Sequence, residues 1–235
     1  PPPPPPLPSP PPSATSGGRT HGDPHLNFPG GHRADFRGKP GSVIAFVSAP
    51  GFAATAYVEA ASVRVRNATI HGTYLTQLYV RCGDTSFVHN ASNATSWGFG
   101  WHAVRVDCAK RGSPTRKYVH PHTMHTCADG QTRVAVEYAT ATLHCARWTV
   151  RSTVQPVVNH VRGVSRNIDF SVNGSETAHG VLGQNLMRPR DGMLDRLPET
   201  GEYETRAQAQ GAVDGSVDDY IVESPFATKF PYSLF

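Results

Sequence analysis

Three groups of side chains in this chain have the types and spacing to do chemistry. The first is the turn Gly22-Asp23-Pro24-His25, where a carboxylate and an imidazole stand two residues apart. The second is His120-Pro121-His122-Thr123-Met124-His125. On an extended strand His120 and His122 share one face and make a candidate pair for a transition metal. No carboxylate or thiolate lies inside that motif and Pro121 favours a loop, so the expectation is a solvated polar loop. The third group is four cysteines, Cys82, Cys108, Cys127 and Cys145, with no CxxC pair among them. Zinc ribbons need such pairs. An even number without them reads as two disulfides formed in an oxidising compartment. Three pairings are open. Cys108–Cys127 nested within Cys82–Cys145 is preferred, because nested hairpin pairings close loops of moderate length.

Other chemistry finds little support. No nucleophile elbow, HExxH helix or phosphate-binding loop occurs. A glycosidase needs two placed carboxylates. The acidic residues are densest after position 190, and among the earlier ones Asp35, Glu59 and Asp84 stay open as candidates. The expectation is a protein that is not an enzyme and holds no resident cofactor. In "SWGFGWHAV", Trp97, Phe99 and Trp101 alternate, and on a strand they share a face. That face is read first as core packing. Exposed, it would stack on sugar rings and make the chain a wall-attached carbohydrate-binding or adhesion module. The acceptor pattern N-x-[ST] occurs at Asn67, Asn90, Asn93 and Asn173. Four sequons together with paired cysteines point to a secreted glycoprotein.

The elements that position these residues are read from pattern. From residue 41 onward Val, Thr, Tyr and Ile recur with period-2 alternation, as in Val63/Val65 and Val104/Val106. Gly, Pro, Asn and Asp punctuate the gaps. About ten short strands are expected, in an all-β antiparallel sandwich or barrel, with no helical segment. Residues 20–235 form the domain, and 191–218 read as a long irregular surface loop. Charged residues are only 17% of the chain, with 22 Gly and 21 Pro. Basic residues are scattered along a chain of net charge +4, which argues against nucleic acid. No apolar run reaches about 18 residues, so no membrane-spanning helix is expected.

Residues 1–12 read "PPPPPPLPSPPP". Proline fixes φ and removes a donor, so this run is expected to be a polyproline II rod of about 37 Å, at about 3.1 Å per residue. Residues 13–19, "SATSGGR", would be its joint. A chain that starts on proline, with no initiator Met or signal peptide, reads as a processed product or part of a longer precursor. Leu7, the one large apolar side chain in the run, is the natural anchor for docking the rod on another copy.

"GDPHLNFPGGHRADFRGKPGSVIAFVSAPG" resembles the start of von Willebrand factor type D domains. "HGVLGQNL" at 179–186 resembles an element of the root-cap, late-embryogenesis-related family, a relative of that fold, and the C-terminal "DDYIVESPFATKFPYSLF" is similar to that family's ending. The resemblance implies a type D-like β domain and an architectural role for Asp23, Pro24 and His25. It also raises a calcium-ligand role for Asp23, since some type D domains bind calcium. In a subset of that family this turn is cleaved, here Asp23–Pro24; an intact bond is expected. The family's final segment usually carries a cysteine. This chain has none after Cys145, so packing must hold its C-terminus. The proline run is similar to the hydroxyproline-rich rods of pherophorin- and extensin-type wall glycoproteins. That makes Pro1, Pro2, Pro3, Pro4, Pro5, Pro6, Pro8, Pro10, Pro11 and Pro12 candidate hydroxyprolines, and Ser9 and Ser13 candidate glycan sites. The combined expectation is a structural glycoprotein of an algal-type wall, matrix or filament, self-associating and glycan-bearing.

Overall fold

The computed structural model describes residues 17–22, 25–28, 33–91, 104–108, 115–174, 178–183 and 217–230 of the chain. In chain order the strands are β1 (Gly17–His21), β2 (His25–Asn27), β3 (Arg33–Asp35), β4 (Val43–Ala49), β5 (Phe52–Val65), β6 (Ala68–Cys82), β7 (Thr85–Asn90) and β8 (Val104–Cys108). They continue with β9 (Thr115–Tyr118), β10 (Thr123–Thr126), β11 (Arg133–Glu137), β12 (Thr140–Cys145), β13 (Trp148–Pro156), β14 (His160–Gly163), β15 (Arg166–Gly174) and β16 (Ile221–Val222). Among the described residues there is no α-helix, and a 3-10 turn, Val217–Tyr220, leads into β16.

The strands form two antiparallel sheets packed as a sandwich. The first runs β10-β11-β12-β13-β15-β1-β2-β3, and the second β16-β4-β5-β6-β7-β8-β9. β14 also joins the second sheet, beside β5. Alternation makes this architecture. Ala141, Leu143, Trp148, Val150, Ile168, Phe170 and Val172 face inward from the first sheet. Ile44, Phe46, Phe52, Ala54, Leu78, Val80 and Phe87 meet them from the second. Phe52 stacks on Trp148 with centroids 4.2 Å apart, and Phe46 meets Phe170 edge-on at 5.1 Å. Each such pair contributes about 0.5–1.5 kcal/mol beyond its buried area.

The all-β sandwich agrees with the expected fold class; the strand count does not. Sixteen strands occur among the described residues, and two are long: β5 spans 14 residues and β6 spans 15. "ATAYVEA" and "SVRVRN", which read as separate strands, are one continuous β5. Conversely "TRVAVEYATATLHCARWTV" is cut into β11, β12 and β13 at Tyr138 (φ 45°) and Ala146 (φ 48°). Positive φ at such residues is uncommon, so the turns carry no glycine signal. β1 begins at Gly17, inside the segment read as a joint. Most of the 191–218 segment lies outside the described residues; Val217 and Asp218 open the 3-10 turn.

β5 and β6 continue past the sandwich as an arm. β4 pairs with β5 only as far as Tyr57, and β14 takes the vacated edge at Ala61–Val63. Gly163 makes that possible: its φ is +88°, and a Cβ there would collide with the backbone oxygen of Ala60. A small cluster of Ala61, Tyr74 and Val157, with Val63 and Val164 against it, underpins the arm.

The other edge of β4 accounts for two late motifs. Ser48 and His179 exchange backbone hydrogen bonds of 2.8 Å, and the N–H groups of Val181 and Leu182 donate to the carbonyls of Ala45 and Phe46. Gly180 has φ +97°, and a Cβ there would stand 2.7 Å from the Phe46 oxygen, so the glycine in "HGVLG" is required by close approach. At the C-terminus buried Tyr220 leads into β16, and Lys229 Nζ donates to the Ile221 carbonyl at 2.6 Å. Phe226 packs edge-on against Tyr79. Packing holds this segment; all four cysteines pair elsewhere.

Candidate functional site

The cysteines brace the sandwich. Cys82 at the end of β6 bonds Cys145 at the end of β12, with Cα atoms 6.4 Å apart. Cys108 of β8 bonds Cys127, which follows β10, at 5.5 Å. These are the preferred nested pairs, and each joins one sheet to the other. In the chain-entropy account, loops of 63 and 19 residues correspond to about 4 and about 3 kcal/mol.

The histidine cluster is divided by its turn. His120 and His122 precede β10 and do not share a strand face, which corrects the candidate metal pair. Pro121 starts the turn, His122 has φ 61°, and its ring packs edge-on to Tyr138 at 4.5 Å. His125 sits on β10 with Nε2 3.3 Å from Cys108 Sγ. Burial, helped by the positive charge of Lys117, lowers its pKa. The ligand-type atoms of Cys108, His125 and Cys127 lie within 4.8 Å of one another. With the sulfurs joined neither is a thiolate, so the imidazole is the only metal-binding group left there.

At the opening turn, Asp23 and Pro24 lie outside the described residues, so neither the calcium role nor the architectural role of Asp23 meets geometry here. Gly22 and His25 are described. The Gly22 N–H donates to Asp169 Oδ1 at 2.7 Å, and Asn167 Nδ2 donates to the same oxygen at 2.8 Å. Asp169 on β15 thus caps the turn from a distant part of the chain. Desolvation raises its pKa, against the Gly22 hydrogen bond, the charge of His21 and the Asn167 bond. His25 lies opposite both His21 and Asp35, with the two imidazole centroids 5.1 Å apart. Beside Asp169 a cleft of about 370 Å³ opens on the outer face of the first sheet, lined by Arg19, His21 and Arg151.

His89 Nδ1 and Ser152 Oγ are 2.8 Å apart, a nucleophile–base distance, but each residue is 1% exposed. They form a polar bridge between β7 and β13 through the core. The period-2 set Thr85, Phe87 and His89 was the sequence signal for it. Burial pushes the His89 pKa down to about 4. Glu59 accepts a hydrogen bond from Thr76, while Asp84 lies in the turn beyond the far end of β6. Glu59 lies opposite Tyr74, and the strand from Tyr74 to Cys82 puts the two carboxylates at least roughly 25 Å apart, beyond the separations of glycosidase carboxylates.

Of the sequons, Asn67 is exposed in the β5–β6 turn, Asn173 is exposed near the end of β15, and Asn90 is half-buried at the end of β7. Asn93, the Trp97-Phe99-Trp101 stripe and residues 1–16 lie outside the described residues. Among the described residues no helix is long and apolar enough to cross a membrane. No protein-family model matches the chain, and no curated protein matches it.

Proposed function

We propose that this chain is a secreted structural glycoprotein: a type D-like sandwich joined to a hydroxyproline-rich rod, whose copies associate into a wall, matrix or surface filament. The observation that carries the reading is that all four cysteines tie one sheet to the other. Such bracing suits a module that must keep its shape outside the cell. The exposed Asn67 and Asn173 are compatible with attached glycans. The rod enters from sequence: proline loses little backbone entropy on docking, because its φ is already set.

The test compares the intact protein with a chain lacking residues 1–12, by sedimentation velocity and electron microscopy. The truncated chain should be folded and should no longer assemble. Filaments of unchanged length from the truncated chain would make the rod a spacer only. An intact protein that stays monomeric at every concentration overturns self-assembly and favours a wall-attached carbohydrate-binding module.

A further inference from the structure

The fold gathers basic residues that are dispersed in the sequence. Three segments build the arm and its base: 36–42, 60–73 and 157–166. They carry Arg37, Lys39, Arg64, Arg66, Arg162 and Arg166, and none contains Asp or Glu. Alternation and register sort them by face. Ser62 and Arg64 share one face of β5, with His71 and Thr69 opposite them on β6 and Arg162 opposite Ser62 on β14. Val63 and Val65 turn to the other face, as does Glu59.

On the basic face Arg37 Nη2 donates to the His71 carbonyl at 2.8 Å, and Ser62 Oγ lies 2.8 Å from His71 Nδ1. These groups and Arg162 line a cleft of about 360 Å³. Its wall includes Thr73, only 2% exposed, whose hydroxyl has no hydrogen-bond partner among the described residues. Burial normally pairs such a group. Among the described residues Arg37, Arg64, Arg66 and Arg162 make no ion pair, whereas Arg105 and Arg116 both face Asp107 at 3.3 Å. A surface with cations and no anions of its own attracts an anionic partner.

We propose that this face binds an acidic polysaccharide, its sulfate or carboxylate groups held by Arg37, Arg64 and Arg162 and its hydroxyls by Ser62 and Thr73. Guanidinium forks match both anions. A polysaccharide fits better than a nucleic acid for two reasons. The disulfides assign the chain to an oxidising compartment. The residues lining the cleft include no Phe, Tyr or Trp ring on which a base could stack. Such binding does not require self-assembly.

The experiment titrates the intact chain with heparin as the sulfated probe, neutral dextran and a DNA duplex as comparators, and records oligomeric state in parallel. Arg64→Gln/Arg162→Gln should weaken heparin binding about tenfold or more and shrink the slope of log affinity against log salt by roughly 1 per arginine removed. Arg116→Gln/Arg133→Gln removes the same charge elsewhere and should change affinity less than twofold. Equal losses in the two variants would reduce the effect to net charge and overturn the site. Tighter binding of DNA than heparin overturns the ligand class. Heparin binding that persists in a monomeric protein supports the site and counts only against assembly.

Discussion

Strands β5 and β6 pass through two environments, and their halves differ in what holds them. From Phe52 to Val58 β5 lies in the sandwich, where its inward side chains are covered by the facing sheet. From Ser62 to Val65 the same strand keeps its ladder to β6, and as far as Val63 to β14, but its side chains pass from half-buried to exposed; Val65 is 45% exposed, and Ile70, across from Val63, 43%. Backbone hydrogen bonds continue through both halves. Stability does not, because a ladder bond contributes only about 1 kcal/mol net, while burial and cross-links add several. The sandwich has the Phe52–Trp148 stack, two disulfides and the His89–Ser152 bridge. The arm has one small apolar cluster and a basic face. Its opening free energy should therefore fall well below that of the global transition. In this molecule rigidity and recognition occupy separate stretches of the same strands.

The largest expected difference comes from the braces. Cys82→Ala/Cys145→Ala should lower unfolding free energy by about 4 kcal/mol, read as a denaturant midpoint shift at constant slope. A loss no larger than that of an arm variant would break the comparison. Next is acid sensitivity. His89 titrates at about 4 in the folded core, below its ordinary 6.5. Its contribution is complete above pH 6.5, because both states are then neutral, and is lost as pH falls from about 6.5 to about 4, where the unfolded chain takes up the proton first. The span corresponds to about 3 kcal/mol. His89→Gln should flatten stability across that window; an unchanged pH profile in the variant would assign the effect to other groups. The smallest global effect belongs to the arm. Gly163→Ala should detach β14 from β5, raising amide exchange at Ala61–Val63 and His160–Gly163 while moving the global midpoint by less than about 0.5 kcal/mol. A midpoint shift of several kcal/mol would mean that arm and sandwich unfold as one unit.

Local chemistry made the fold class legible. Alternation in segments such as "HAVRVDC" and "NIDFSVNG" demands half-buried strands, and an even number of cysteines without CxxC spacing demands disulfides. Pro121 likewise announced a loop around His120 and His122. These readings depend on neighbours along the chain, and one sequence contains them. The strand count was less legible, because turns at Tyr138 and Ala146 adopt positive φ without glycine, and the two-sheet frame imposes them.

What only the tertiary structure decided are the meetings between distant residues. Nothing near Gly22 indicates that Asp169 will accept its N–H, and nothing near His89 names Ser152. His125 reaches the Cys108–Cys127 bridge only because β8 and β10 stand across the sandwich from each other. Arg37 and Arg162 look scattered in sequence and share one cleft in space. The physical reason is that side-chain periodicity sets which face a residue takes, whereas register and sheet packing set what that face meets.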